Sequence, residues 1–141
     1  MEPRIITDRY HVSPQISPED AAAIKQAGYT LVIDNRPDGE VPPDFQADAM
    51  RVAMESAGLR FEVLPLTHQT MNADNIMRQG ELIEGAEGKV LAYCASGTRS
   101  TVVWALGKAS DLGADTVLET AARAGYNLEG LRPTLRALAE R

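Results

Sequence analysis

The sequence predicts an α/β fold, with a mainly parallel sheet of about four or five strands and helices on both faces. Short apolar segments rich in β-branched and aromatic residues alternate with longer segments of helical periodicity. This alternation is typical of βαβ units, in which each crossover helix packs against the sheet. The chain has 141 residues without an internal repeat or long linker, so we predict one domain over residues 1–141.

Four segments have the composition of buried strands and are bounded by turn residues. These predicted strands are residues 9–13, 29–34, 60–66 and 89–93. Six further segments have helical character. These predicted helices are residues 18–27, 44–57, 73–84, 99–112, 115–124 and 133–141.

Capping residues mark the ends of several predicted helices. Ser17 precedes Pro18 and two acidic residues, which suit the cap, the first helical position and the helix dipole respectively. Asn72 can cap the helix that follows it. Gly28 and Gly58 end the first two helices, because glycine is favoured just after a helix.

The carboxyl ends of parallel strands are the expected place for a ligand, because helices cover both faces of the sheet. The segments 34–40, 67–74 and 94–100 each begin where a predicted strand ends. We therefore expect these segments to share one edge of the sheet.

The last of these segments carries the single cysteine, Cys94. The residues that follow it are Ala95, Ser96, Gly97, Thr98, Arg99 and Ser100. Backbone N–H groups of such a loop, and of the helix after it, can bind an anion together with Arg99. The Ser100 hydroxyl can donate to the sulfur. Since each group favours the anionic sulfur, we predict that Cys94 is a nucleophilic thiolate and that residues 95–98 bind the substrate anion.

Two further residues are candidates for the same site. Arg36 either faces the bound anion or pairs with an acidic neighbour such as Glu40 within its own loop. His68 follows the third strand and can protonate a leaving group near neutral pH. Asp74 is a nearby carboxylate that otherwise suits the first turn of a helix.

The cysteine loop resembles the active-site loops of two enzyme groups. Residues 93–100 are similar to the Y-C-R-S-G-N-R-S loop of rhodanese-type sulfurtransferases. Tyrosine and dual-specificity phosphatases carry H-C-x5-R-[S/T], one residue longer than the C-x4-R found here.

More of the chain resembles the beta-lactamase hydrolase-like, phosphatase-like domain family, found alone or fused to beta-lactamase-like metallohydrolases. The similar segments are residues 15–20, 27–29, 32–40, 94–100, Trp104 and 124–126. The resemblance implies a protein-tyrosine-phosphatase-like fold and either phosphatase-like or sulfur-transferring activity. It also implies a metallo-beta-lactamase-like sulfur enzyme as a partner.

Two departures bear on the reaction. Four residues separate Cys94 from Arg99, and the resulting smaller ring of amides suits a terminal sulfur better than a phosphoryl group. Ala95 stands where relatives often carry arginine, which lowers the expected affinity for a strongly anionic donor. We therefore predict rhodanese-type sulfur transfer through a persulfide first, and hydrolysis of phosphate monoesters through a cysteinyl-phosphate second. A non-catalytic anion-binding or redox-sensing domain is the third alternative.

Composition limits the partners. The net charge of −6 argues against nucleic acid and anionic membranes, so a small anionic substrate is expected. The sequence has neither a membrane-spanning apolar run nor the apolar core of a signal peptide, and we expect a cytoplasmic protein. One cysteine excludes an internal disulfide, and no metal-ligand spacing is present, so no metal or other cofactor is predicted.

Overall fold

The computed structural model describes residues 1–140. Its strands are β1 (Arg4–Ile5), β2 (Tyr10–Ser13), β3 (Tyr29–Asp34), β4 (Arg60–Val63) and β5 (Lys89–Tyr93). They form one five-stranded sheet in the order β1-β2-β5-β3-β4. Only β1 runs antiparallel to its neighbour, and the remaining pairs are parallel. The predicted α/β class with a mainly parallel sheet is confirmed.

Helices cover both faces of this sheet. They are α1 (Ala21–Gln26), α2 (Ala47–Ser56), α3 (Ala73–Glu84), α4 (Thr98–Leu112), α5 (Ala114–Arg123) and α6 (Arg132–Ala139). Helices α1 and α2 pack on one face, and α3 to α6 pack on the other. Within residues 1–140, no helix has the length and apolar character needed to cross a membrane.

Two apolar cores hold the layers together. On the side of α1 and α2, Val32 and Leu91 point from the sheet into one cluster of buried side chains. On the other side, Ile33 and Val90 contribute to a second cluster that contains Trp104 of α4. Because neighbouring strand residues alternate between the two cores, the central strands are buried on both faces and fix the carboxyl edge of the sheet.

The observed elements differ from the predicted ones mainly at their ends. Strand β1 was not predicted, and its two residues are both exposed. The helix predicted from residue 18 begins with a 3-10 turn, and α1 starts only at Ala21. Strand β4 ends at Val63 rather than at residue 66, although the Leu64 and Leu66 N–H groups still donate to the Asp34 and Asn35 carbonyls at 2.9 Å. The predicted end of the last helix, Arg141, lies outside the described residues.

Candidate active site

The loop between β5 and α4 folds back on the cysteine sulfur. Cys94 directly follows β5, and its side chain has 0% exposure. Gly97 has φ +92°, a left-handed conformation that glycine adopts readily, and it serves as the N-cap of α4. The Gly97 N–H donates to Cys94 Sγ at 3.1 Å. The sulfur is therefore held inside the turn that starts the helix.

Several backbone donors of this loop are unused. Within residues 1–140, the N–H groups of Ala95, Ser96, Arg99 and Ser100 have no hydrogen-bond partner. The Thr98 N–H instead donates to the Ser96 hydroxyl at 3.3 Å. The loop leads into the 15-residue helix α4, whose dipole adds positive potential at this end. The arrangement leaves donors free for an anion next to the sulfur.

The Arg99 guanidinium makes hydrogen bonds along one edge, and the donors of its other edge have no partner within residues 1–140. Its Nη1 and Nη2 atoms donate to the two carboxylate oxygens of Glu40, each at 2.8 Å. Nη1 also donates to the Leu66 carbonyl at 2.9 Å. These contacts use three of the five guanidinium donors. Within residues 1–140 the Nε–H and one Nη2–H remain, and together they form a two-donor fork suited to an oxyanion.

The ion pair also shifts the pKa values of Glu40 and Arg99. Hydrogen bonding to Arg99 lowers the pKa of Glu40, and the same contact raises the pKa of Arg99. Cys94 makes a smaller contribution to the raised pKa of Arg99, after that of Glu40. Arg99 is thus a fixed positive charge beside the candidate nucleophile.

Arg36 does not face the anion site directly. Its Nε donates to Glu40 at 3.3 Å and its Nη1 donates to the Gln15 side chain at 3.2 Å. The alternative in which Arg36 pairs within its own loop therefore describes the structure. Arg36 reaches the site only through Glu40, which it shares with Arg99.

Ser100 is also placed differently from the prediction. Its hydroxyl donates to Asn35 Oδ1 at 2.8 Å rather than to the sulfur. Its position on α4 directs the side chain toward Asn35, the residue that follows β3. Asn35 and Gln79 exchange amide hydrogen bonds at 2.9 and 3.1 Å. The Tyr10 hydroxyl completes this buried network by donating to the Ser100 carbonyl at 2.7 Å. The network fixes the first turn of α4 against the sheet.

Tyr126 holds the loop from outside. Its hydroxyl donates to the Ser96 carbonyl at 2.9 Å, and the Arg4 guanidinium lies over its ring. A Cβ atom added at Gly97 would clash with the Tyr126 hydroxyl. Glycine is therefore required at this position for two reasons, its φ angle and the closeness of Tyr126.

A buried carboxylate lies at the end of β3, on the opposite face from the network. Asp34 is 1% exposed and accepts a hydrogen bond from the Arg36 N–H at 2.8 Å. Burial raises the pKa of Asp34 to about 6. Tyr93 is its partner in the strand register, and the Tyr93 hydroxyl is buried without a hydrogen-bond partner within residues 1–140.

His68 shares a cleft with Arg99. Both residues line the cleft beside the loop, together with Thr98. Asp74 lies in the first turn of α3 and is exposed, and it is not part of this cleft. Of the two acid candidates, the structure brings only His68 to the site.

The structure thus brings Cys94, the 95–98 loop, Arg99 and His68 to one edge of the sheet. Reasoning from the sequence missed three contributors, namely Glu40 as the partner of Arg99, Tyr126 and Gln79. Gln79 had a visible signal, since a polar residue between apolar positions of a helix indicates a buried hydrogen bond. Glu40 and Tyr126 depend on contacts between distant segments.

The fold, a mainly parallel sheet whose carboxyl edge carries a cysteine loop that leads into a helix, is that of the phosphatase-like class of α/β proteins. The crystal structure of Tk-PTP in its active form shares this fold, with a TM-score of 0.70 and coverage of 99% of this chain and 97% of that one. At 19% identity, this similarity concerns the fold alone.

Within that class, the chain belongs to the family described as beta-lactamase hydrolase-like protein, phosphatase-like domain, which matches residues 2–111. It is 32% identical over 106 residues to the beta-lactamase hydrolase-like protein of Xylella fastidiosa strain Temecula1. That match covers 75% of this chain and 25% of the relative, so the chain spans a quarter of the curated relative.

A solved structure supports the same assignment. A protein of Neisseria meningitidis Z2491, described as a candidate phosphatase, superposes with a TM-score of 0.85. It is 31% identical, and the match covers 96% of both chains. The predicted family and the phosphatase-like fold are confirmed.

Proposed function

We propose that the chain is a cysteine-dependent hydrolase of phosphate monoesters. The observation that carries this proposal is the pair of unused Arg99 donors beside the Cys94 sulfur and the free loop amides. The Neisseria relative described as a candidate phosphatase supports it. This order reverses the one predicted from loop length, because the comparisons favour phosphatase chemistry over sulfur transfer.

The reaction has two steps. Cys94 Sγ forms a bond to phosphorus while the ester P–O bond breaks, and the leaving oxygen takes a proton. Arg99 and the loop amides hold the non-bridging oxygens, where negative charge is concentrated. Water then attacks phosphorus, the S–P bond breaks, and inorganic phosphate and the thiolate are released. His68 is the proposed proton donor, because it lines the same cleft as Arg99.

Access to the sulfur requires a local movement. Cys94 has 0% exposure, and the cleft walls contain Thr98 and Arg99 but not the sulfur itself. The Gly97 N–H donates to this buried sulfur at 3.1 Å, so the loop holds the sulfur in place while the cleft side moves. A substrate anion that binds the Arg99 fork brings its phosphorus to this buried end of the site.

The test combines turnover with detection of the intermediate. We expect release of phosphate from an aryl phosphate and, after rapid acid quench, a phosphoryl adduct on the intact chain by mass spectrometry. Cys94→Ser should abolish both signals while circular dichroism stays unchanged. Turnover that survives Cys94→Ser would contradict the proposal.

Sulfur transfer is the second candidate, and the four-residue spacing between Cys94 and Arg99 is the observation that favours it. Cys94 Sγ would attack the outer sulfur of thiosulfate, the S–S bond would break, and sulfite would leave with the electron pair. An acceptor thiolate or cyanide would then remove the sulfane sulfur. Sulfite is a stable anion, so this route needs no acid. A metallo-beta-lactamase-like sulfur enzyme is its proposed partner.

One insertion separates the two reactions. A glycine inserted between Thr98 and Arg99 restores the spacing of tyrosine phosphatases. If sulfur transfer is the activity, thiosulfate should add sulfur mass to wild-type Cys94, and the insertion should reduce that addition and raise aryl-phosphate hydrolysis. If neither adduct forms in the wild-type chain, the non-catalytic anion-binding or redox-sensing alternative remains.

A further inference from the structure

A cleft of about 800 Å³ opens beside the cysteine loop. Thr98 and Arg99 are among the residues that line it, so the cleft adjoins the proposed reaction site. Small-molecule sites have volumes of about 300–1,000 Å³, which is far more than a single oxyanion fills. The cleft therefore has room for the part of a substrate that does not react.

One wall of the cleft is a stripe along α4. Thr98, Val102 and Leu106 line the cleft and are spaced four residues apart, so they lie on one face of the helix. With a rise of about 1.5 Å per residue, this stripe extends about 12 Å from the helix N-terminus. Val102 and Leu106 are half-buried, whereas Val103 and Ala105 between them are buried in the core. Apolar surface thus leads away from the anion site.

The lining from outside α4 is also largely apolar. Met71, Leu128 and Leu131 come from two other segments and line the same cleft. The charged wall residues are Glu40 and Arg99, and they pair with each other at 2.8 Å. The lining also contains the polar side chains of Thr67, His68, Asn127 and Thr134, but most of the cleft surface is apolar, and the charges of Glu40 and Arg99 balance each other.

We propose that this cleft binds the uncharged apolar body, alkyl or aryl, of a small substrate whose anionic group is held by the cysteine loop and Arg99. The inference rests on the proposed function, because it uses the same anion site. A sugar phosphate would place hydroxyls against the side chains of Val102 and Leu106, which offer no hydrogen-bond partner, and this is unfavourable. The net charge of −6 disfavours polyanions. The substrate class is a small organic monoester with one anionic end and one apolar end.

The test measures binding of methyl-, butyl- and octylphosphonate to the intact chain by isothermal titration calorimetry. These compounds carry the anionic group but no ester bond to cleave. We expect the affinity to rise about two- to four-fold for each methylene group that enters the cleft. Octylphosphonate should also show a negative heat-capacity change of binding, the mark of buried apolar surface.

Matched variants locate the effect. Leu106→Gln should reduce the octyl-to-methyl affinity ratio about five- to ten-fold, because it places an amide against the alkyl chain. Leu112→Gln is the control, since Leu112 lies on the same helix, is 44% exposed and is outside the cleft. Val102→Thr is a smaller change that serves if Leu106→Gln fails to fold. We expect it to reduce the octyl-to-methyl affinity ratio about two- to three-fold. Val52→Thr on α2 is its control.

Different results overturn different statements. An affinity that does not depend on alkyl length, or an equal effect of Leu106→Gln and Leu112→Gln, overturns the cleft proposal alone. If Arg99→Lys does not change the affinity for methylphosphonate, the proposed function is contradicted. The anion site on which both proposals rest is then contradicted as well. A phosphotyrosine peptide that binds more tightly than octylphosphonate and depends on Leu106 would indicate a protein substrate and overturn the proposal.

Discussion

Two loops leave neighbouring parallel strands at the same edge of the sheet, and each carries an arginine bound to Glu40. In the loop after β3, Arg36 Nε donates to the Glu40 carboxylate at 3.3 Å. Its other guanidinium nitrogens donate to the Gln15 side chain and to the Glu40 carbonyl. After β5, Arg99 meets Glu40 through two bonds of 2.8 Å and keeps two donors free. The same residue type with the same partner therefore has two different roles.

The difference comes from how each loop ends. The loop after β5 runs straight into α4 and leaves backbone amides unpaired at the helix start. The loop after β3 closes on itself, since Asp34 accepts from the Arg36 N–H and Asp38 accepts from the Ala47 N–H, both at 2.8 Å. Unused donors, rather than positive charge alone, distinguish a site that can bind an anion from a loop that only supports it.

The largest expected effect separates the two arginines. Arg99→Lys keeps the charge but loses the two-donor fork, so kcat/KM for an aryl phosphate should fall about 100-fold. Arg36→Lys should lower it less than about five-fold, because its partners are Glu40 and Gln15 rather than substrate. Steady-state kinetics of both variants measure the contrast, and equal losses would show that Arg36 also contacts the anion.

Gly97→Ala should break the loop after β5. The positive φ and the clash with Tyr126 together are expected to lower the free energy of unfolding by about 2–4 kcal/mol. Gly58→Ala, just after α2, has a similar φ of +89° and would meet only the end of the Lys25 side chain at 3.5 Å, so about 1–2 kcal/mol is expected. Gly39→Ala, in the loop after β3, should change it by less than about 0.5 kcal/mol. Urea unfolding compares the three, and similar losses at 97 and 58 would exclude a role for the Tyr126 contact.

A buried carboxylate makes the loop after β3 sensitive to pH. Burial raises the pKa of Asp34 to about 6, above the value of about 3.9 for an unfolded aspartate. The stabilising contribution is therefore complete below about pH 3.9 and is lost as the pH rises through about 6. Between pH 4 and 7, wild type should lose about 2–3 kcal/mol of unfolding free energy relative to Asp34→Asn. Urea titrations at several pH values measure this, and parallel curves for the two proteins would refute it.

Ser100→Ala gives the smallest effect and tests whether this residue supports the loop or takes part in the reaction. Losing the hydrogen bond to Asn35 should lower the free energy of unfolding by about 1 kcal/mol. Turnover should fall less than about three-fold, because the hydroxyl does not reach the sulfur. A loss of turnover comparable to that of Arg99→Lys would show that Ser100 takes part in the reaction.

Strands with a clear apolar pattern could be predicted from the sequence to the residue. Strands β3 and β5 have the predicted bounds because their apolar residues form unbroken runs that end in polar turns. Strand β1 has two exposed residues and therefore no pattern to recognise. The start of α1 was predicted too early because Ser17 caps a 3-10 turn, which commonly precedes an α-helix.

The candidate site was predictable where its residues are close in sequence. Cys94, Gly97 and Arg99 lie within one loop, and the local pattern of strand, small residues and helix indicates their arrangement. Glu40 lies 59 positions from Arg99, and their contact depends on the order of strands in the sheet. That order follows from packing between distant segments, which no local pattern encodes.

The reciprocal hydrogen bonds between Asn35 and Gln79 have a consequence for how this sequence can diverge. Replacing either amide with an apolar residue leaves the other buried without a partner, at a cost of about 1–3 kcal/mol. Replacing both with apolar side chains of matching shape avoids that cost, so a lineage can change the two positions together more easily than one at a time. We expect relatives to keep the pair or to lose it as a pair.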